Sequence, residues 1–354
     1  MERPDYGYED GLAMTVFRYE KNNVFQQVDT TLPRELIEEL PSAGTDPVRD
    51  AEVMRQLDKN RFIARVGSVA VEMAAVGTEN AEDVHFLHYG WGSNMRNPVV
   101  TASIQSMVAT HPASQVLVMN APEVGNSSQL PKQLRREIRS GNYKPYGEVV
   151  MKAAWQRLEG RRVHMGGHSL GTRVAIAATI SAPEKVATLT LNDPPGSATL
   201  MLPEMARAMG TAEPRHASQY LKEGFNRDIF KPSFETFQNI ISGMNAHQLF
   251  VEPFGLSKAS FEKELLEASG QVTGDIRVLL PDMSALNDWQ AIADVVQRVR
   301  RLSATEAHLE AWVVRRHTHS WLIAAKGLEA MLYSSRRTLP EHANSQETPI
   351  AGII

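Results

Sequence analysis

The sequence predicts an α/β fold, a mostly parallel sheet with helices on both faces. Three observations predict it. Short apolar runs of strand character alternate with helical runs from Arg61 onward. One strand-like run, Val163 to Met165, ends in Gly166-Gly167-His168-Ser169-Leu170-Gly171 and passes at once into an alanine-rich helical run. The polar residues able to do chemistry, Ser169, Asp193, Asp282 and His319, each follow a run read as a strand. In an open α/β sheet those positions are the loops beyond the strands' C-terminal ends, where ligands bind.

The first 60 residues read as an N-terminal extension. Residues 33–40 and 48–57 have helical spacing, and Pro41-Ser42-Ala43-Gly44-Thr45-Asp46-Pro47 is a loop. Phe62-Ile63-Ala64-Arg65-Val66 and Val69-Ala70-Val71-Glu72-Met73-Ala74 read as a hairpin turning at Gly67-Ser68. Val84 to Tyr89 is a strand that runs into the glycine-rich Gly90-Trp91-Gly92-Ser93-Asn94. A helix over residues 99–110 follows, then the short strand Val116-Leu117-Val118-Met119. The loop Asn120-Ala121-Pro122-Glu123-Val124-Gly125-Asn126-Ser127 closes it. Residues 148–158 carry Val149, Val150, Ala153, Ala154 and Leu158 at helical spacing.

After the helix that follows Ser169, the strand Val186 to Leu191 leads to Asn192-Asp193-Pro194. Residues 197–270 then contain helical runs and no clear strand, so they read as an inserted helical cap. Its methionines and phenylalanines suit an apolar, adaptable wall. Strand character returns at Ile276-Arg277-Val278-Leu279-Leu280 and at Glu310-Ala311-Trp312-Val313-Val314, with a helix over 289–301 between them. The division expected is a core of residues 61–196 and 271–335, a cap of 197–270 and a tail of 336–354.

The 354 residues include no cysteine, which excludes disulfides, thiolate metal sites and a cysteine nucleophile. A net charge of −4 gives no electrostatic case for nucleic acid. No stretch approaches the length of a membrane-spanning helix, and the polar N-terminus lacks a signal-like apolar region; the expected location is the cytoplasm. Neither the H-E-x-x-H spacing of a metal site nor a nucleotide-binding glycine pattern occurs, so no metal and no cofactor are expected.

Gly167-His168-Ser169-Leu170-Gly171 fits G-x-S-x-G in the strand–turn–helix setting that a nucleophile elbow requires. The tight turn lifts the serine hydroxyl clear of the sheet. The N–H of Leu170, at a helix N-terminus, can hold a developing oxyanion. With Tyr89-Gly90-Trp91-Gly92, the 120–127 loop and His319-Ser320-Trp321, the chain resembles the α/β-hydrolase superfamily over roughly residues 61–333. The resemblance implies a triad in the chain order serine, acid, histidine. Ser169 would be the nucleophile and His319 the base, with His317 as its competitor; His168 would pack and orient the elbow, and His164 would be a core histidine.

The resemblance also implies Trp91 as the second oxyanion donor. Tyr89 stands where relatives usually carry a histidine. Relatives place the acid after the penultimate strand, a register occupied here by Ser284-Ala285-Leu286. Asp282 on that loop is the first choice, Asp193 after the preceding strand the second and Asp288 the third. Each of these aspartates also reads as a turn former or helix cap. The function implied is a serine hydrolase cleaving a small apolar carboxylic ester or lactone, with homo-oligomerisation left open. C–C bond hydrolase, acyltransferase and cofactor-free peroxidase activities share the elbow, and a non-catalytic ligand-binding protein of the same fold is the alternative from another class.

Overall fold

Six parallel strands, in the spatial order Leu309–Val314, Ile276–Pro281, Val186–Asn192, Val163–His168, Val84–His88 and Gln115–Met119, form the centre of one ten-stranded sheet among the described residues. The computed structural model describes residues 12–19, 25–32, 47–90, 92–158, 160–195, 204, 207–213, 215, 254–303, 308–315, 317 and 319. In chain order the strands are β1 Leu12–Tyr19, β2 Phe25–Leu32, β3 Arg61–Val66, β4 Val69–Gly77 and β5 Val84–His88, followed by β6 Gln115–Met119, β7 Val163–His168, β8 Val186–Asn192, β9 Ile276–Pro281 and β10 Leu309–Val314. The helices are α1 Pro47–Lys59, α2 Pro98–Thr110, α3 Lys132–Arg139, α4 Lys144–Leu158, α5 Leu170–Ser181, α6 Phe261–Ser269 and α7 Trp289–Leu302. An antiparallel hairpin closes each edge: β3–β4 beside β6, and β1–β2 beside β10.

The period of two along each central strand divides its side chains between two apolar layers. Phe86, Leu117, Met165, Leu189, Val278, Leu280, Ala311 and Val313 pack with α4, α5, α6 and α7. Leu87, Val116, Val118, Leu279, Trp312 and Val314 pack with α1 and α2 on the opposite face. Burial on both faces is why the central strands read as near-continuous apolar runs.

Among the described residues, the strands expected from Arg61 onward and the helices expected outside 197–253 are present within a few residues, including the 62–74 hairpin. The first 60 residues differ from the reading. They contribute the β1–β2 hairpin, whose inner strand pairs Met14 with Val314 and Phe17 with Ala311. Met14 and Val16 enter one apolar layer and Phe17 the other, where its ring meets Trp289 at 6.1 Å. The helix expected at 48–57 is α1, and the one expected at 33–40 lies outside the described residues.

Most of the 197–270 stretch expected as a cap also lies outside them. Phe261–Ser269, read as its last helical run, instead belongs to the layer covering the sheet. There Glu264 receives a 2.8 Å bond from the fully buried Arg173 of α5. Arg173 also donates to the Pro195 carbonyl at 2.7 Å, so one guanidinium ties α5, α6 and the loop after β8 together. Among the described residues no helix is long and apolar enough to cross a membrane.

Candidate active site

Four adjacent parallel strands deliver the candidate residues to one edge of the sheet. Ser169 follows β7, Asp193 follows β8, the 282–287 loop follows β9, and His317 and His319 follow β10. Ser169 has φ 55° and ψ −131°, a conformation an L-residue rarely adopts, and it is half-buried at the N-terminus of α5. Its N–H donates to the Asn192 carbonyl at 2.9 Å, and its carbonyl accepts from the N–H and the hydroxyl of Thr172.

The flanking glycines are required by contact. A β-carbon on Gly167 would lie 2.5 Å from the Gly171 carbonyl oxygen, and one on Gly171 would lie 2.1 Å from that of His88. Strand, turn and helix are pressed together until no side chain fits between them.

His319 reaches this corner from the far end of the described chain. Its ring packs against that of His168 at 4.7 Å, and His168 immediately precedes Ser169. His168 Nε2–H donates to the His319 carbonyl at 3.0 Å. On its other side, His319 Nδ1–H donates to Asp193 Oδ2 at 2.6 Å; His319 and Asp193 are both buried. Burial by itself would lower the His319 pKa, but the bond to Asp193 and the charges of Asp193 and Glu213 overcome it and move the pKa upward. His168 is held well below the ordinary histidine value by burial, reinforced by positive charge on His319. Nδ1–H bonded to a carboxylate leaves Nε2 as the basic nitrogen of His319.

Asp193 is therefore the carboxylate that meets the imidazole, and Asp282, the first choice from sequence, is not. Asp193 has φ 45°, which turns the chain sharply at the end of β8. Its N–H donates to the Leu279 carbonyl at 2.8 Å. Its Oδ2 also accepts from Ser284 Oγ at 2.6 Å, and its Oδ1 accepts from Asn287 Nδ2 at 2.7 Å. Asp282 continues the β9–β10 ladder by donating its N–H to the Val314 carbonyl, and its carboxylate accepts from the His317 N–H at 3.2 Å. Asp288 is exposed and caps α7 by accepting from the Gln290 N–H at 2.9 Å. His317 is turned to its own loop, with Nδ1–H donating to the Arg315 carbonyl at 2.8 Å. His164 sits at the start of β7, bonded to Thr188 Oγ1 at 3.0 Å and stacked on His85.

The loop after β5 passes directly over the serine. A β-carbon on Gly90 would stand 2.9 Å from Ser169 Cβ and 3.3 Å from its Oγ. Trp91, expected as an oxyanion donor, lies outside the described residues, whereas Leu170 heads α5 as expected. Behind the loop is a network that sequence reasoning missed. Asn120 Oδ1 accepts from the Met95 N–H at 2.8 Å, and the Ala121 N–H donates to the Ser93 carbonyl at 2.9 Å.

Asn120 Nδ2 donates to the buried Glu72 at 2.7 Å, and Glu72 also takes both the N–H and the side-chain amide of Asn126. Burial raises the Glu72 pKa, but these bonds and Arg61 bring it below the ordinary carboxylate value. The Asn120–Ser127 motif is thus a brace between β4 and the loop over Ser169. Two more residues went unread as site residues: Ser284 and Asn287, which hold Asp193. A separate cleft of about 470 Å³, between the α3–α4 turn, α5 and the start of α6, contains none of these groups. Among the described residues no group of three or more His, Asp or Glu side chains could hold a metal ion.

Residues 86–243 match the family model described as alpha/beta hydrolase fold. The chain has the α/β-hydrolase fold. Solved structures agree over most of the chain. The fold is shared with a bromoperoxidase from Bacillus anthracis at TM-score 0.55 and 15% identity, over 78% of this chain and 100% of that one. A hydrolase from Pseudomonas aeruginosa PA01 gives 0.53 and 17%, over 77% and 98%. The thioesterase domain from the curacin biosynthetic pathway gives 0.52 and 15%, over 77% and 98%. No curated protein matches this α/β-hydrolase-fold chain in sequence.

Proposed function

We propose that this α/β-hydrolase-fold protein is a serine hydrolase that cleaves a carboxylic ester or lactone through an acyl-enzyme. The observation that carries the reading is the 2.6 Å bond from His319 Nδ1–H to the buried Asp193, with the imidazole packed against the elbow residue His168. Ser169 Oγ attacks the substrate carbonyl carbon while Nε2 of His319 takes its proton. The carbonyl oxygen becomes an oxyanion held by the N–H of Leu170 and by a donor from the loop over Ser169, assigned to Trp91. As the tetrahedral intermediate collapses, the imidazolium returns its proton to the leaving alcohol and the acyl group stays on Ser169. Water, deprotonated by His319, attacks the acyl-enzyme and frees the acid. Asp193 holds the imidazole in the tautomer that exposes Nε2 and stabilises its cation in both half-reactions.

The test uses p-nitrophenyl esters of graded chain length together with a fluorophosphonate probe. Wild-type protein is expected to turn over at least one ester and to be labelled, and Ser169→Ala to do neither while keeping its circular dichroism. Undiminished turnover by Ser169→Ala removes the serine from the mechanism. A folded wild type that is neither labelled nor active leaves a ligand-binding protein.

A further inference from the structure

The inserted segment sends one carboxylate into the site. Glu213 follows the π-helical turn Ala208–Ala212 and is buried. Its Oε1 accepts from the Ala285 N–H at 3.0 Å and from the His319 N–H at 3.3 Å. These donors belong to the two loops that matter most for the proposed triad. Ala285 is next to Ser284, which holds Asp193, and His319 carries the imidazole. A single oxygen therefore fastens the loop after β9 to the loop after β10. The His319 peptide is gripped from both ends, its N–H by Glu213 and its carbonyl by His168.

A buried carboxylate is costly unless its charge is offset. Two backbone donors offset it in part, and the cation that forms on His319 during acyl transfer offsets it further. We infer that Glu213 is a positioning residue of this site, setting the His319 backbone and adding a second carboxylate that stabilises the imidazolium. The inference rests on the proposed hydrolase reading for its catalytic consequence, but the effect on the ring does not. The titratable and charged groups facing the His319 ring among the described residues are Asp193 from the β8 end, Glu213 from the insertion and His168 from the β7 end. The two carboxylates favour the cation, whereas His168 is buried and kept neutral and does not.

Three variants separate charge from scaffolding. Glu213→Gln keeps an oxygen able to accept both N–H bonds and removes the charge. The acid limb of kcat/KM is expected to move to lower pH by about half a unit to one unit, and kcat to fall about tenfold, with KM little changed. Glu213→Ala removes the bonds as well, and kcat is expected to fall about a hundredfold. Glu213→Asp retains the charge and is expected to keep the acid limb nearer to wild type than Gln does. The His319 ring is also titrated by NMR in the isotopically labelled protein, where Glu213→Gln is expected to lower its pKa. That readout works in a protein that hydrolyses nothing, so failure of the hydrolase reading stays distinguishable. An unchanged ring pKa in folded Glu213→Gln overturns the inference, even if kcat has dropped.

Discussion

Ser284 Oγ donates a 2.6 Å hydrogen bond to Asp193 Oδ2, the same oxygen that accepts from His319 Nδ1–H. The serine stands in the register where relatives, by the resemblance of the sequence, carry their acid. The loop after β9 thus reaches the proposed triad and contributes a donor in place of a carboxylate. Asp193→Asn is expected to lower kcat about a thousandfold to ten-thousandfold, because the imidazole loses the partner that fixes its tautomer. Asp193→Ser is expected to be as poor, and adding Ser284→Asp to recover at least about tenfold of its kcat by moving the carboxylate across the shared position. Asp282→Ala is expected to stay within about threefold of wild type, because Asp282 bonds the His317 backbone and not the ring of His319. Steady-state kinetics on the four variants decides between the two strands' ends; a silent Asp193→Asn rejects the assignment.

Gly90 gives a second prediction, about access. With Ser169 Cβ 2.9 Å and Oγ 3.3 Å from where a β-carbon would stand, Gly90→Ala must push the loop or the serine aside. The hydroxyl's surroundings change while the core does not. Activity is expected to fall about a hundredfold, the cost of misplacing a reacting group by a fraction of an ångström to an ångström. Thermal unfolding is expected to shift by only a few degrees, and fluorophosphonate labelling to slow in parallel with turnover. Wild-type labelling kinetics in Gly90→Ala contradict the close approach.

The elbow was legible because its constraints are local. Gly167 and Gly171 face backbone a few residues or one strand away, and the role proposed for the serine rests on the turn itself. The carboxylate that meets His319 was legible only as the second choice, because the pairing depends on how the ends of β8, β9 and β10 align. Asp282 donates its N–H to Val314, which turns its carboxylate toward the His317 backbone, whereas Asp193 turns through a positive φ toward the ring. Glu213 could not be read at all: its bonds reach 72 and 106 residues ahead, from a segment whose sequence shows only helical spacing. The β1–β2 hairpin was hidden for another reason. Phe25–Leu32 is a polar edge strand without a clean apolar alternation, and its partner is recognised as a strand only once β10 is there to pair with.

The pH dependence of turnover follows from the sign of the His319 shift. The base must be neutral to accept a proton, and its pKa is raised by Asp193 and Glu213 against the effect of burial. The acid limb of kcat/KM is expected above the ordinary histidine value of about 6.5. Asp193→Asn moves that limb downward as well as lowering kcat. For stability the same group acts in the opposite sense: protonated His319 favours the fold below the unfolded-state pKa, and that contribution is lost as pH rises through the raised folded value. A limb below the ordinary value in wild type means that His319 is not the titrating base.

His88 yields the prediction for acid stability. It ends β5 beneath the elbow, against Gly171, and burial depresses its pKa to about 4, with backbone contacts at Tyr89 and its own residue opposing. The folded protein keeps this ring neutral, whereas the unfolded chain protonates it below about pH 6.5. A group with a depressed histidine pKa contributes no penalty above that point and an increasing one below it. The loss reaches about 3 kcal/mol near pH 4. His88→Gln removes the titration while keeping a polar side chain of similar size. Its unfolding free energy, measured by urea titration at pH 7 and pH 4.5, is expected to fall less between the two than that of wild type, by about 2 kcal/mol. Equal pH slopes for the two proteins show that the ring beneath the elbow accepts its proton at the same pH folded as unfolded, and assign the acid sensitivity to other groups.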